Sequence, residues 1–255
     1  MRKHVRVVTP ITTKGFRRLD DLSALEGPEL AISHAEIDRG PASVEGEMDE
    51  ALAAPDTAAK IIEAERDGVH AVVIDCMGDP GMKAARECVA IPVIGPAQTS
   101  MHLAAMLGHR FSVVTVLDRL RTQLENEARL YGVDDELASV RAVDLPVLAL
   151  EQDLERTRAL LVEQAVLAVE QDGAHAIIFG CTGMLGCAEA VRSGLLERGY
   201  DVPVIDPVPA AVLVAAALVE AGLSHSKLTY PLPPPKKVVG YDQLPPRATA
   251  VQAAE

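Results

Sequence analysis

Two cysteines, Cys76 and Cys181, stand at matched places in two copies of one pattern. Residues Glu65–Cys76 align with Glu170–Cys181, 105 residues on, and six of the twelve positions are identical. Val7-Val8-Thr9 anticipates Val113-Val114-Thr115, and Pro92-Val93-Ile94 anticipates Pro203-Val204-Ile205. A period above 100 residues is too long for a solenoid and fits a duplicated domain. Each cysteine follows an apolar β-branched run and precedes a turn, Met77-Gly78-Asp79-Pro80-Gly81 or Thr182-Gly183-Met184-Leu185-Gly186. A thiol at a strand end near a helix start is a candidate base, because free backbone N–H groups favour its thiolate. If the copies face each other, two thiols enter one cleft from opposite sides. Such a pair can remove a proton from one face of a carbon and return one to the other. The enolate formed beside a carbonyl needs donors, which the N–H groups of Gly78, Asp79, Thr182 and Gly183 could supply. The hydroxyls of Thr9, Thr12, Thr115 and Thr182 are further candidates for binding polar substrate groups, although Asp79 reads more simply as a helix cap.

The elements that must place these residues alternate between strand and helix. Val5–Thr9, Phe111–Val116, Val69–Ile74 and Ala174–Phe179 read as buried parallel strands. Pro92–Ile94 and Pro203–Ile205 close each copy, with Leu30–Ile37 and Ser139–Val143 as weaker strands. Helical stretches are expected over Pro55–Asp67 and Asp153–Asp172, each stopped by Gly, and after each cysteine over Pro80–Cys88 and Leu185–Arg198. The βαβα order in both halves predicts an α/β fold. It has two similar, pseudo-twofold-related domains, each a parallel sheet flanked by helices, with the site in the cleft between them. Helices near Ala97–Leu107 and Pro209–Ala221 would cross between them. The expected division is residues 1–97 plus 208–255 for the first domain and 98–207 for the second. The Pro-rich segment from Tyr230 should run over the surface, with disorder beyond Gln243.

Composition narrows the partners. In 255 residues, 24 basic against 37 acidic side chains give a net charge of −13, which repels nucleic acid and anionic membranes. Apolar runs are too short for a membrane span or a signal-peptide core, and four cysteines make a poor disulfide framework. The expectation is a cytoplasmic protein with reduced thiols. No C-x-x-C, H-E-x-x-H, phosphate-loop or dinucleotide motif is present, so neither a metal nor a nucleotide cofactor is expected. Cys88 and Cys187 have no counterpart in the repeat and read as structural. His70 and His175 are repeated but sit at strand starts, away from the thiols.

The segment from Cys76 to Glu87 resembles the first cysteine motif of the hydantoin and allantoin racemases of the aspartate/glutamate racemase superfamily. Gly108–Thr115, Gly180-Cys181-Thr182-Gly183-Met184 and Gly222–Lys227 resemble their later motifs. The resemblance implies a homo-oligomeric, cofactor-independent isomerase that inverts C5 of a 5-substituted hydantoin or an allantoin-like compound. Cys76 and Cys181 would be the acid and base. Thr9, Ile11, Thr12, Met77, Gly78, Asp79, Thr115, Thr182 and Gly183 would bind the substrate. The first loop departs from the usual Asn-Pro-Asn-Thr/Ser: here it is Thr9-Pro10-Ile11-Thr12, and Ile11 cannot make an amide's hydrogen bond. Pro96-Ala97-Gln98-Thr99 is a second departure. Amino-acid racemases and maleate-type isomerases of the same superfamily are the alternatives. Outside the enzymes the alternative is a two-lobed protein that binds a small molecule.

Overall fold

The computed structural model describes residues 2–241 and Leu244. The chain makes two four-stranded sheets of the same design. The first holds β1 (Lys3–Thr9), β2 (Leu30–Glu36), β3 (Ala71–Ile74) and β4 (Val93–Ile94) in the order β2-β1-β3-β4. The second holds β5 (Phe111–Thr115), β6 (Leu137–Ala142), β7 (Ala176–Phe179) and β8 (Val204–Ile205) in the order β6-β5-β7-β8. Every pairing is parallel. Strands buried on both faces can be short apolar runs, which is why Ala71–Ile74 and Ala176–Phe179 suffice at four residues each.

In the first sheet the period-two alternation sorts the residues by face. Val8, Val72 and Ile74 pack with Ile61 of α1 (Glu47–Arg66) and Met82 of α2 (Met82–Cys88). Val5, Val7, Ala71 and Val73 pack on the other face against Val208, Ala211, Val212 and Ala215 of α7 (Pro207–Glu220). The helix after β4 goes elsewhere. In α3 (Pro96–Leu107), Ala97, Met101 and Ala104 join the core of the second sheet. So α3 leaves the first sheet to cover the second, α7 leaves the second to cover the first, and the two helices pack on each other. Pro at N1 starts both, where its missing N–H costs nothing.

Several sequence-based boundaries shift. Helix α1 begins at Glu47 rather than near Pro55, because three acidic residues in its first turn suit the helix dipole, and Pro55 is carried inside it. The helices after the cysteines start later than expected, at Met82 and, for α6 (Ala188–Leu196), at Ala188. Helix α5 (Leu154–Asp172) is capped by the Asp153 carboxylate, which accepts from the Arg156 N–H at 3.0 Å, and ends at Gly173 with φ +73°. Helix α4 (Arg121–Tyr131), with a strongly polar outer face, is an addition to the elements expected from sequence. The Pro-rich segment from Pro231 to Tyr241 is largely exposed, and the disorder expected beyond Gln243 lies, Leu244 apart, outside the described residues. No helix among the described residues is long and apolar enough to cross a membrane.

Met101 joins α3 to the second sheet and has no exposed surface. Met101→Ala should lower unfolding stability by about 2–5 kcal/mol in urea titration, the usual range for opening a core cavity.

Candidate active site

Strands β3 and β7 end one residue short of Asp75 and Gly180, so Cys76 and Cys181 sit just past equivalent strand ends. Both line one cleft, which holds about 590 Å³ of space free of atoms, its mouth included. Its polar side contains Thr9, Glu50, Asp75, Gln123 and Thr182, and its apolar wall contains Ile11, Phe16, Val44, Val116, Leu120, Leu124 and Val147. Met77, Gly78 and Gly183 complete the floor beside the thiols. No Lys or Arg is among these lining residues.

The sulfurs are held alike. The Gly183 N–H donates to Cys181 Sγ at 3.4 Å, and the Gly78 N–H donates to Cys76 Sγ. Neither bond outweighs burial. Burial pushes the Cys76 thiol well above the ordinary range, with Glu50 and Cys181 adding to the rise. Burial pushes Cys181 up to about 12, with Asp75 and Glu45 adding to it. The lowered thiol expected from the sequence is thus corrected. The helices begin six and seven residues past the cysteines, too far for their termini to act on sulfur, since that effect fades within the first turn.

The other sequence candidates divide. Thr9, 2% exposed, faces the cleft, but its hydroxyl donates to Asp75 Oδ2 at 2.7 Å; the ring of His34 then donates to Thr9 from Nε2 at 2.8 Å. Thr182 also faces the cleft while donating to the Asp75 carbonyl at 3.1 Å, which ties the two halves together. Ile11 is on the apolar wall. Thr12 and Thr115 are absent from the lining; their hydroxyls donate to the carbonyls of Pro41 and Gly180, both at 3.1 Å. Asp79 is also absent from it. Its φ of +46° turns the carboxylate to accept from the N–H groups of Ala97 and Gln98, at 3.1 and 3.0 Å, and from the Tyr131 hydroxyl at 2.6 Å. It caps α3 from a distance, and Gly95 admits it because a Cβ there would lie 2.3 Å from the carboxyl. Of the four N–H groups proposed to hold an oxyanion, those of Gly78 and Gly183 are on sulfur and that of Asp79 is on the Cys76 carbonyl. Gln98, in the second departure, accepts from Arg86 at 2.9 Å and is not part of the cleft wall.

Glu50, Asp75 and Gln123 join the site without having been expected there. The repeat did carry a signal for Asp75, since the matching residue is Gly180, where a Cβ would meet the Cβ of Thr115 at 2.7 Å. Glu50 lies in α1 ahead of the helical stretch expected from Pro55, and Gln123 lies in α4, which the repeat does not align. Behind Asp75, Arg17 is 5% exposed and bonds Asp21. Burial raises Asp206, which faces Asp21, Arg17 and Asp75, to about 7.

Comparison with known proteins follows the same lines. Residues 7–215 match the Asp/Glu/Hydantoin racemase family. The chain is 39% identical over 241 residues to a hydantoin racemase of Rhizobium meliloti, covering 93% of this chain and 98% of that one. It is 40% identical to a hydantoin racemase of Pseudomonas sp. (strain NS671), covering 92% and 94%. The allantoin racemase from Klebsiella pneumoniae superimposes with a TM-score of 0.87 at 35% identity, covering 96% of this chain and 99% of that structure.

Two outcomes follow from the buried carboxyls. Asp79→Ala removes the cap of α3 and strands the Tyr131 hydroxyl, and should cost about 2–4 kcal/mol in chemical denaturation. Asp206, Glu50 and Asp79 hold their protons more tightly folded than unfolded, near pH 7, 7 and 6. Their contribution therefore favours the folded state at low pH and is lost as pH rises from about 4 to about 7. Urea midpoints measured across that window should fall less in Asp206→Asn than in the wild type.

Proposed function

The chain belongs to the Asp/Glu/Hydantoin racemase family and is a racemase, and we propose that it inverts C5 of a 5-substituted hydantoin by proton transfer between two thiols. The observation that carries this reading is the pairing of Cys76 and Cys181 at equivalent strand ends in one cleft, each with a single backbone N–H on its sulfur. One thiolate takes the C5 proton. The opposite thiol gives its proton to the other face of the planar intermediate. Burial makes each thiolate scarce but strongly basic, which suits a weak carbon acid.

The walls favour a cyclic, uncharged substrate over an amino acid or maleate. A free carboxylate would meet no cationic side chain in this lining, and would meet Glu50 and Asp75 instead. Ile11, Phe16, Val44, Val116, Leu120, Leu124 and Val147 offer an apolar surface for an alkyl or aryl substituent at C5. Ile11 in place of an amide moves recognition of the ring toward Thr182, Gln123 and the backbone. On the same reading the domains are residues 1–97 with 208–255, and 98–207. No cofactor enters the reaction, and the enzyme works in the cytoplasm as a homo-oligomer.

The test is incubation of single enantiomers of 5-alkyl and 5-aryl hydantoins in deuterated water, followed by chiral chromatography and mass spectrometry. Racemisation with one deuterium at C5 is expected. Cys76→Ser and Cys181→Ser should each lower racemisation by about a thousandfold or more while the fold survives, as loss of an essential acid or base does. Full activity in both variants would end the two-thiol mechanism. With Cys181 pushed up to about 12, kcat/KM should climb as pH rises from about 7 to about 10, because the thiolate fraction grows.

A further inference from the structure

Beside the catalytic cleft lies a second, wider chamber with about 940 Å³ of atom-free space, open to solvent. Glu50, Gly78 and Gln123 line both spaces and so form the partition between them. Gln123 of α4 donates to Glu50 Oε1, and the same amide lies 3.4 Å from Glu127 Oε1. The Glu50 carboxylate presses on Gly78: a Cβ at that position would overlap both carboxylate oxygens. Gly78 is the residue whose N–H bonds Cys76 Sγ, and the charge of Glu50 is the largest charge effect on that thiol. Glu50 thus has Cys76 on one side and solvent on the other.

A two-thiol racemase has a need that this placement meets. Each turnover leaves the donor and acceptor exchanged. After a reaction in which Cys76 is the base, Cys76 holds the proton and Cys181 is the thiolate. The enzyme must reverse this before it can take the same enantiomer again. The cleft wall beside the sulfurs is mostly apolar and offers few groups to carry a proton.

We propose that Glu50 carries the Cys76 proton between sulfur and the water of the second chamber, resetting the enzyme between turnovers. The inference rests on the two-thiol reading above. In the reset the S–H bond of Cys76 breaks and its electron pair stays on sulfur. The proton passes to a Glu50 carboxylate oxygen, directly or across one water, and then to chamber water. Cys181 thiolate takes a proton from water in the cleft, and the hydroxide left behind exchanges with solvent and is neutralised by the proton released into the chamber, so net charge is unchanged. For the other enantiomer both transfers reverse. The surroundings of Glu50 favour its holding a proton. After burial itself, Glu47 and Asp49 on its own helix, Asp79 on the cysteine loop and Glu127 on α4 beyond Gln123 all disfavour its charge. Glu127 Oε2, on the same side of the partition, is buried with no hydrogen-bond partner among the described residues, and burial raises that carboxyl as well. Glu50 acts through Cys76 and not on the substrate.

The experiment compares Glu50→Gln, which keeps the size of the side chain, with the wild type. Initial rates are taken for both enantiomers of a 5-alkyl hydantoin up to saturation. The expected result is a fall of about tenfold or more in kcat in both directions, with kcat/KM within about threefold, because the reset limits turnover only when substrate is abundant. Added imidazole should restore kcat in proportion to its concentration. A matched fall in kcat and kcat/KM, no change in either, or no rescue by imidazole would overturn the role of Glu50. If Glu50→Gln does not fold by circular dichroism, Glu50→Asp is read by the same criteria. A wild type that fails to racemise hydantoins, or a fully active Cys76→Ser variant, would instead strike the two-thiol reading itself.

Discussion

The exchange of helices between the two sheets is the constraint on which the cleft depends. A single parallel sheet of four short strands has its ligand-binding edge open to water. Here α3 leaves one sheet to complete the core of the other, and α7 does the reverse. Because the two helices pack on each other, the carboxyl ends of β3 and β7 are held facing one space. Asp79 reinforces this from the first cysteine loop, since one carboxylate ties that loop to the start of α3 and, through Tyr131, to α4. A residue named as a substrate-binding candidate instead ties the first cysteine loop to α3 and α4.

The electrostatics of the cleft are decided by burial rather than by helix dipoles. Each sulfur receives one N–H, where several would be needed to offset desolvation and nearby carboxylates. A thiol easily ionised at neutral pH would be a weak base toward carbon. A reluctant one is a stronger base during the brief time it is ionised. On the proposed chemistry the cleft trades thiolate abundance for basicity.

Much of the architecture is legible in the sequence because duplication is a strong signal. The repeat aligns the two thiols, the strands before them and the closing strands, and the β-branched runs mark the sheets. What the repeat cannot reveal is anything that differs between the halves. Glu50 lies in α1 before the helical stretch expected from Pro55, and Gln123 and Leu124 come from α4, with Leu120 in the turn before it; α4 has no helical counterpart between β1 and β2 of the first copy, although Leu120, Leu124 and Ala128 recur at helical spacing. Thr12, Thr115 and Asp79 are plausible binders by residue type. The backbone around them offers nearer partners, and a buried hydroxyl or carboxylate satisfies the nearest donor or acceptor first. By type Ile11 is only a lost hydrogen bond; in place, it is part of a continuous apolar wall.

The doubled fold is therefore symmetric in its frame and asymmetric in its charges. Asp75, with Thr9, His34 and Arg17 around it, has only Gly180 as its counterpart, and its charge acts on Cys181. Glu50 acts on Cys76 instead. A racemase converts mirror images of equal free energy, so its kcat/KM must be the same in both directions whatever the two thiols' surroundings. Asymmetry can then show only in how strongly each enantiomer binds, in kcat, and in how the free enzyme recovers its starting protonation. Unequal neighbours on equal thiols do not conflict with racemisation. They place its directional differences in the steps that symmetry leaves free.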